Sequence, residues 1–218
     1  VAVTFDLGAA GRTWRSFAGS GAVSRAWVAA RLAVLPMGAL DPELRSLRGR
    51  VLSVGCGHGA LERYLAEVNP HVTVEGVELD ATRVAAANRS ARRAPRVHVR
   101  SGDATRLEAA DAPFDAALAV DVAHHLPPSA QEDLAAALAG ALAAGGVCLV
   151  KDVGRLPRWK HRFNALHDRL VGGGPVWCRT PEEMAACFAG AGFALERLVR
   201  CDRGSPYPHY LLRLRRRP

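Results

Sequence analysis

The stretch "VLSVGCGHGALE", Val51 to Glu62, decides the fold. A short apolar run, Val51 to Val54, closes on three glycines in five residues, and a helical pattern opens at Ala60. A buried strand passing through a tight loop into a helix has this pattern. Gly55, Gly57 and Gly59 let the backbone approach a ligand with no side chain in the way. Gly55, Gly57 and Ala60 also spell G-x-G-x-x-A, an acceptable dinucleotide fingerprint. The glycines by themselves admit either a dinucleotide or another adenosine-bearing ligand.

Strands and helices alternate on both sides of this loop. A helix is predicted over Ala60–Val68, stopped by Asn69-Pro70, then a strand over His71–Glu78. Asp80 is placed to cap a helix over residues 81–91, and a short strand follows at Val97–Arg100. "FDAALAV", Phe114 to Val120, reads as a fully buried strand. Ser129 to Glu132 reads as a capping box opening an alanine-rich helix that ends near Gly145-Gly146, before the strand Val147–Val153. From Leu156 to Val171, Trp159, Phe163, Leu166 and Leu170 form a helical stripe expected to pack on the sheet. Thr180 to Glu183 is a second capping box, and its helix stops at Gly190-Ala-Gly192. The last two strands, Phe193–Arg200 and His209–Leu214, have no helix between them and are expected to pair antiparallel at the sheet edge. The expected architecture is α/β: a doubly wound, mostly parallel seven-stranded sheet with an antiparallel last strand. Residues 1–218 read as a single domain. Residues 1–40 form an N-terminal cap of one or two helices beside the ligand mouth, and residues 45–218 form the α/β core.

Composition narrows the partners. At 49% hydrophobic and 23% charged, the 218 residues have an ordinary globular balance. No apolar run reaches the roughly 18 residues of a membrane span, and residues 1–15 lack a leader pattern. Five cysteines without a Cys-x-x-Cys pair suggest neither a zinc site nor a disulfide framework, and fit a reducing, cytoplasmic setting. Cys56 reads better as a small side chain packed under the loop than as a nucleophile. The net charge of +8 permits nucleic acid, anionic lipid or an acidic small molecule as partner and selects none of them.

The strand ends discriminate between the two ligands. Ligands of an open parallel sheet sit beyond the carboxyl ends of its strands. Glu78 ends the second strand about 20 residues past the loop, where a carboxylate grips ribose hydroxyls; otherwise it is a solvated strand-end acid. Asp103, after Gly102 at the third strand's end, can accept a hydrogen bond from an adenine amine. Asp121 ends the fourth strand, with His124 and His125 just beyond. A glycine loop followed by three acids suits an adenosine with a cationic tail better than a pyrophosphate.

"VLSVGCGHG", "GVELD", "GDAT" and "FDAALAVDVAHHL" together resemble class I S-adenosylmethionine-dependent methyltransferases, over about residues 45–152. "FALERLVR" and "HYLLRLRR" fit that family's sixth and seventh strands. The resemblance implies S-adenosyl-L-methionine as cofactor and S-adenosyl-L-homocysteine as product. It puts Gly55 and Gly57 at the methionine part, Glu78 at the ribose, Asp103 at the adenine and Asp121 near the sulfonium. The candidate cofactor set is Gly55, Cys56, Gly57, Gly59, Glu78, Leu79, Gly102, Asp103, Ala104 and Asp121. One departure stands out: the family usually has an acid two residues before the first glycine, where this chain has Ser53. Glu62 or Asp121 could substitute for it, and a catalytically silent relative stays open. "KDVGRLPRWKHRFNALHDRL", "CRTPEEM" and "RGSPYPHYLL" look like a bacterial subset associated with lipid-like or polyene-type products.

Methyl transfer from a sulfonium needs positioning and water exclusion, and a base only when the acceptor must lose a proton. The catalytic candidates are His124, His125 and Asp152; the histidine pair could instead line the pocket or pack beneath the next helix, and Lys151 and Asp152 could form a structural salt bridge. His161, Asn164 and Asp168 share one helical face and Lys160, Asn164 and His167 a neighbouring row, each facing either a substrate or water. His161, Asn164, His209 and Tyr210 are the substrate candidates. No metal site is expected, because the histidines lack a ligand spacing.

"DVAHHLPP" stands where amino-methylating DNA enzymes carry Asp/Asn-Pro-Pro-Tyr/Phe, and 6% aromatic residues are thin for base stacking, which disfavours nucleic acid. "VSRAWVAARLAVLP" puts Trp27, Ala30 and Val34 on one helical side, with Val28, Leu32 and Leu35 adjoining and Arg25 and Arg31 flanking. Such a helix caps the core, lids a pocket or makes peripheral membrane contact. The expected acceptor is a small or lipid-like molecule. A nicotinamide-dependent oxidoreductase and a non-catalytic S-adenosylmethionine-binding module are the competing functions.

Overall fold

The computed structural model describes residues 5–91, 95–107, 113–171 and 174–218, with the backbone alone at residues 91, 167, 168, 170 and 171. The chain divides into two compact units, Val1–Ala104 and Thr105–Pro218.

In the first unit, helices α1 (Leu7–Ser16), α2 (Gly21–Val34) and α3 (Met37–Ser46) precede β1 (Gly49–Val54), α4 (Ala60–Val68), β2 (Val72–Glu78), α5 (Ala81–Ala91) and β3 (Val97–Ser101). β2 pairs in parallel with β1 on one side and with β3 on the other, Val51 opposite Val74 and Val74 opposite Val97. The last four residues of β1 are buried, as a parallel strand covered on both faces requires. Asp80 caps α5 as expected, its carboxylate accepting from the Thr82 N–H at 2.8 Å. Residues 1–40 hold α1, α2 and the first turn of α3, and "DPELRS", Asp41 to Ser46, completes α3. Its acids are inward: Asp41 accepts from Arg45 Nε at 2.8 Å, one helical turn on, and from Tyr64 Oη, a partner that no local sequence pattern shows. On α2, Val28, Leu32 and the following Leu35 enter the core.

The second unit holds β4 (Phe114–Val120), a 3-10 turn at Ala123–His125, α6 (Pro128–Ala141), β5 (Leu142–Val153), α7 (Arg158–Val171), α8 (Pro181–Gly190), β6 (Phe193–Arg200) and β7 (His209–Arg216). β4 and β5 pair in parallel, and β7 runs antiparallel to both β5 and β6. The capping box at α8 forms in full, Thr180 and Glu183 bonding each other's backbone N–H. The expected box at Ser129 does not form. Pro127 and Pro128 fix the helix start, so Ser129 lies inside the first turn, and the helix gives way to β5 at Leu142 without reaching Gly145.

α7 corrects a second expectation. Trp159, Phe163 and Leu166 are 62, 45 and 57% exposed, while Lys160 and Asn164 are buried. Hydrogen bonding explains the inversion: Lys160 Nζ donates to the Asp202 carbonyl at 2.6 Å and to its carboxylate at 2.8 Å, which satisfies the inward ammonium. His167, Asp168 and Leu170, named in the sequence reading, have side chains outside the described residues.

The seven strands run in the order β3-β2-β1 in the first unit and β4-β5-β7-β6 in the second. The expected fold class, a mostly parallel α/β sheet with an antiparallel last strand and N-terminal helices, is the observed one. The β6 edge carries Glu196 between Arg213 and Arg215 of β7, charges that discourage further strand addition. Among the described residues no single helix is long and apolar enough to cross a membrane.

Candidate functional site

In the first unit β1 ends against a loop whose three glycines, Gly55, Gly57 and Gly59, all have left-handed φ. Gly57 and Gly59 have φ of 58° and 75°, and a Cβ at Gly57 would stand 3.2 Å from the Trp27 ring. Trp27 covers this loop from α2, its ring centroid 4.5 Å from that of His58. Burial, followed by the Arg83 charge, lowers the His58 pKa and favours the neutral ring against Trp27. His58 drew no attention in the sequence because a lone histidine between glycines has no motif.

Cys56 packs beneath the loop: a Cβ at Gly76 would meet its Sγ at 2.8 Å. Burial, with Glu62 and Glu78 adding to it, pushes the thiol pKa far up, so no thiolate nucleophile forms there. Glu78 is 6% exposed and grips the loop directly. One carboxylate oxygen accepts from the Gly57 N–H at 2.8 Å and the other from the Asp80 N–H at 3.0 Å. Beside it, the Gly102 N–H donates to the Glu78 carbonyl at 3.0 Å, which sets Gly102, the exposed Asp103 and Ala104 next to the β2 end. Leu79 is 74% exposed at the same end.

Ser53 does not stand without a carboxylate. Its Oγ donates to Glu62 Oε1 at 2.6 Å, delivered from the first turn of α4. Glu62 is buried, and its Oε2 has no hydrogen-bond partner among the described residues. Burial dominates and raises its carboxyl pKa above the ordinary 4.5.

The second unit gathers a different set. Asp121, at φ 54°, directs its N–H to the Lys151 carbonyl at 2.8 Å, and its carboxylate pairs with the fully buried Lys151 ammonium. Asp152, also buried, accepts three hydrogen bonds. The donors are His124 Nδ1, the His124 N–H at 3.1 Å and the Val153 N–H at 2.8 Å. Trp177 N–H holds the His124 carbonyl at 2.8 Å, and Gln131 Nε2 ties Ala123, Leu126 and Trp177 together, so the 3-10 turn carrying His124 is fixed from several sides. His125 is exposed, its ring 4.0 Å from that of His124.

β7 sets Tyr210 opposite Asp152 and His209 opposite Val153. The Tyr210 hydroxyl is buried without a hydrogen-bond partner among the described residues, and burial raises its pKa well above 10.0. Asp121, Lys151, His124, Asp152 and Tyr210 thus belong to one β4–β5–β7 neighbourhood. Asn164 and His209 are buried and His161 is half-buried.

Ligand atoms of Asp121, His124 and Asp152 lie within 4.8 Å of one another, close enough for a metal ion. The Lys151 ammonium on Asp121 and the mutual bond of His124 and Asp152 already occupy this set, which works against a cation there.

Comparisons with known proteins bear on the domain and the fold. Residues 51–146 match the family model described as a methyltransferase domain. An uncharacterized protein of Synechococcus sp. is 33% identical over 103 residues, 46% of this chain and 24% of that protein, so the match spans about a quarter of the relative's length. Among solved structures, the PH0226 protein from Pyrococcus horikoshii is similar at a TM-score of 0.70 and 18% identity, covering 86% of this chain and 91% of that one. The [4+2]-cyclase SpnF gives 0.65 and 21%, covering 82% and 79%. The O-methyltransferase NcsB1 from neocarzinostatin biosynthesis, solved with S-adenosyl-L-homocysteine and 1,4-dihydroxy-2-naphthoic acid, gives 0.63 and 20%, covering 77% and 49%. The resemblance to class I S-adenosylmethionine-dependent methyltransferases therefore holds: residues 51–146 match a methyltransferase domain, the fold is the one these structures share, and S-adenosyl-L-methionine is the cofactor that goes with it.

Proposed function

We propose that this protein transfers a methyl group to a small or lipid-like acceptor, with His124 as the base. The observation that carries the proposal is the buried Asp152 bonded to His124 Nδ1. A carboxylate on Nδ1 fixes the imidazole tautomer and leaves Nε2 as the nitrogen that takes a proton. When bound, the cofactor supplies an electrophilic methyl on a sulfonium. His124 Nε2 would receive the proton that the acceptor's hydroxyl or amine gives up on methylation. Asp152 stabilises the imidazolium that results, and Tyr210 and His209 of β7, with His161 and Asn164 of α7, are the proposed acceptor contacts.

Gly55, Cys56, Gly57, Gly59, Glu78, Leu79, Gly102, Asp103 and Ala104 are the proposed cofactor holders of the first unit. The residues fit the group. Glu78 combines a carboxylate with two backbone donors at the loop, and the unpartnered Glu62 Oε2 suits an ammonium. Asp121 is the proposed residue at the sulfonium end. Ser53 suggested a silent relative, but the Ser53–Glu62 bond restores a carboxylate at that spot and supports a working site. A methyltransferase-domain match that includes the glycine loop favours methyl transfer over hydride transfer there. No metal takes part in this reading, and the small acceptor takes the place of nucleic acid as partner.

Calorimetric titration and turnover of labelled cofactor against a panel of phenolic, hydroxy-acid and long-chain acceptors test it. Binding of S-adenosyl-L-homocysteine and methylation of a panel member are expected, with His124→Gln lowering kcat by about 100-fold or more. Binding of NAD(H) in its place, or a full rate in His124→Gln, overturns the respective half of the proposal.

A further inference from the structure

α7 turns an apolar row largely outward, with the Phe163 ring edge-on to that of Tyr207 at 5.4 Å. Leu156, just ahead of it, and Trp159, Phe163 and Leu166 along it are all exposed. Spacings of four and three residues keep Trp159, Phe163 and Leu166 in one row. At 100° per residue, Arg158, Arg162 and Arg169 form the adjoining row, and all three are exposed. The opposite side belongs to the protein, where Asn164 is buried and Lys160 is held by Asp202. The outward half of α7 is therefore an apolar row bordered by guanidinium groups, with no acid in either row.

Contiguous exposed apolar rows mark interaction surfaces. The spacing would also suit pairing with a second copy of the helix, since it is that of a coiled-coil seam. Charge argues against that occupant. Two copies would set arginines against arginines along the seam with nothing to answer them. An anionic bilayer answers both rows, because apolar and aromatic side chains enter the interface while arginines reach lipid phosphates. We propose that α7 is a peripheral membrane-docking helix, seated on anionic lipid through Leu156, Trp159, Phe163 and Leu166, with Arg158, Arg162 and Arg169 on the phosphates. The inference does not depend on methyl transfer, and its test needs no cofactor.

The full chain is sedimented with vesicles of phosphatidylglycerol in phosphatidylcholine, and with phosphatidylcholine alone. Retention on the anionic vesicles, weakening with salt, is expected. Arg158→Glu with Arg162→Glu should reduce it at least tenfold, since one arginine near an anionic surface is worth about fivefold. Trp159→Ser with Phe163→Ser should do the same while far-UV circular dichroism stays unchanged. Arg89→Glu with Arg203→Glu, exposed residues outside α7 and an equal change of net charge, should stay within about twofold of the parent. The proposal is overturned by absent retention, by equal retention on neutral vesicles, by a control variant as weak as the face variants, or by a concentration-dependent dimer that Phe163→Ser abolishes.

Discussion

Glu62 in the first unit and Asp152 in the second are both buried carboxylates, yet the protein completes one and not the other. Asp152 accepts from two backbone N–H groups and an imidazole. Glu62 accepts from the Ser53 hydroxyl, and its second oxygen meets no donor among the described residues. Burying an ionised group is costly unless hydrogen bonds replace water. The difference separates a carboxylate built to orient a neighbour from one whose remaining valence suits a ligand.

The largest expected effect strikes the completed carboxylate. Asp152→Ala leaves the three donors facing a void and should lower unfolding free energy by about 2–4 kcal/mol in denaturant titrations. It should also depress methyl transfer by at least about 100-fold. Asp152→Asn keeps the shape, so it should recover most of the stability and little of the rate. Recovery of both would show that Asp152 only packs.

Glu78 lies in the middle of the comparison, since its oxygens are bonded to the Gly57 and Asp80 N–H groups and it is also a proposed cofactor holder. Glu78→Ala should weaken S-adenosyl-L-homocysteine binding by about 1–3 kcal/mol in calorimetry, through the lost charged acceptor and the freed Gly57 N–H. An unchanged affinity removes Glu78 from the site.

The smallest effect falls on Glu62 and depends on pH. Its folded pKa is raised above the unfolded 4.5, so the folded state holds the proton more tightly. That stabilising contribution is complete below about pH 4.5 and is lost as pH rises through the raised folded value. Glu62→Gln, which carries no charge at any pH, should therefore match the parent near pH 4 and exceed it by about 1–2 kcal/mol at pH 8. Coincident stability curves from pH 4 to 8 would mean that the ionised Glu62 finds its donors.

The two amphipathic helices show how far the sequence could be read. Apolar periodicity located both α2 and α7. On α2 the adjoining row, Val28 and Leu32, is the buried one while Trp27, Ala30 and Val34 are not buried, and on α7 the apolar row faces out and Lys160 faces in. Periodicity reports that a face exists; which way it turns depends on partners such as Asp202, 42 positions away in the chain. The same limit explains Ser129, where local capping chemistry was legible but two preceding prolines set the helix start. His124 and Asp152 were both legible as candidates, but their bond across 28 positions was not.

By itself the sequence determined the order of strands and helices, the glycine loop, and the acids at strand ends, because these rest on local backbone sterics and on side-chain spacing. Tertiary structure decided that Glu62 answers for Ser53, that Asp152 orients His124, that Lys151 neutralises Asp121, and that α7 shows its apolar row outward. Each of these is a hydrogen bond or a burial that depends on distant residues meeting, and no spacing along the chain records it.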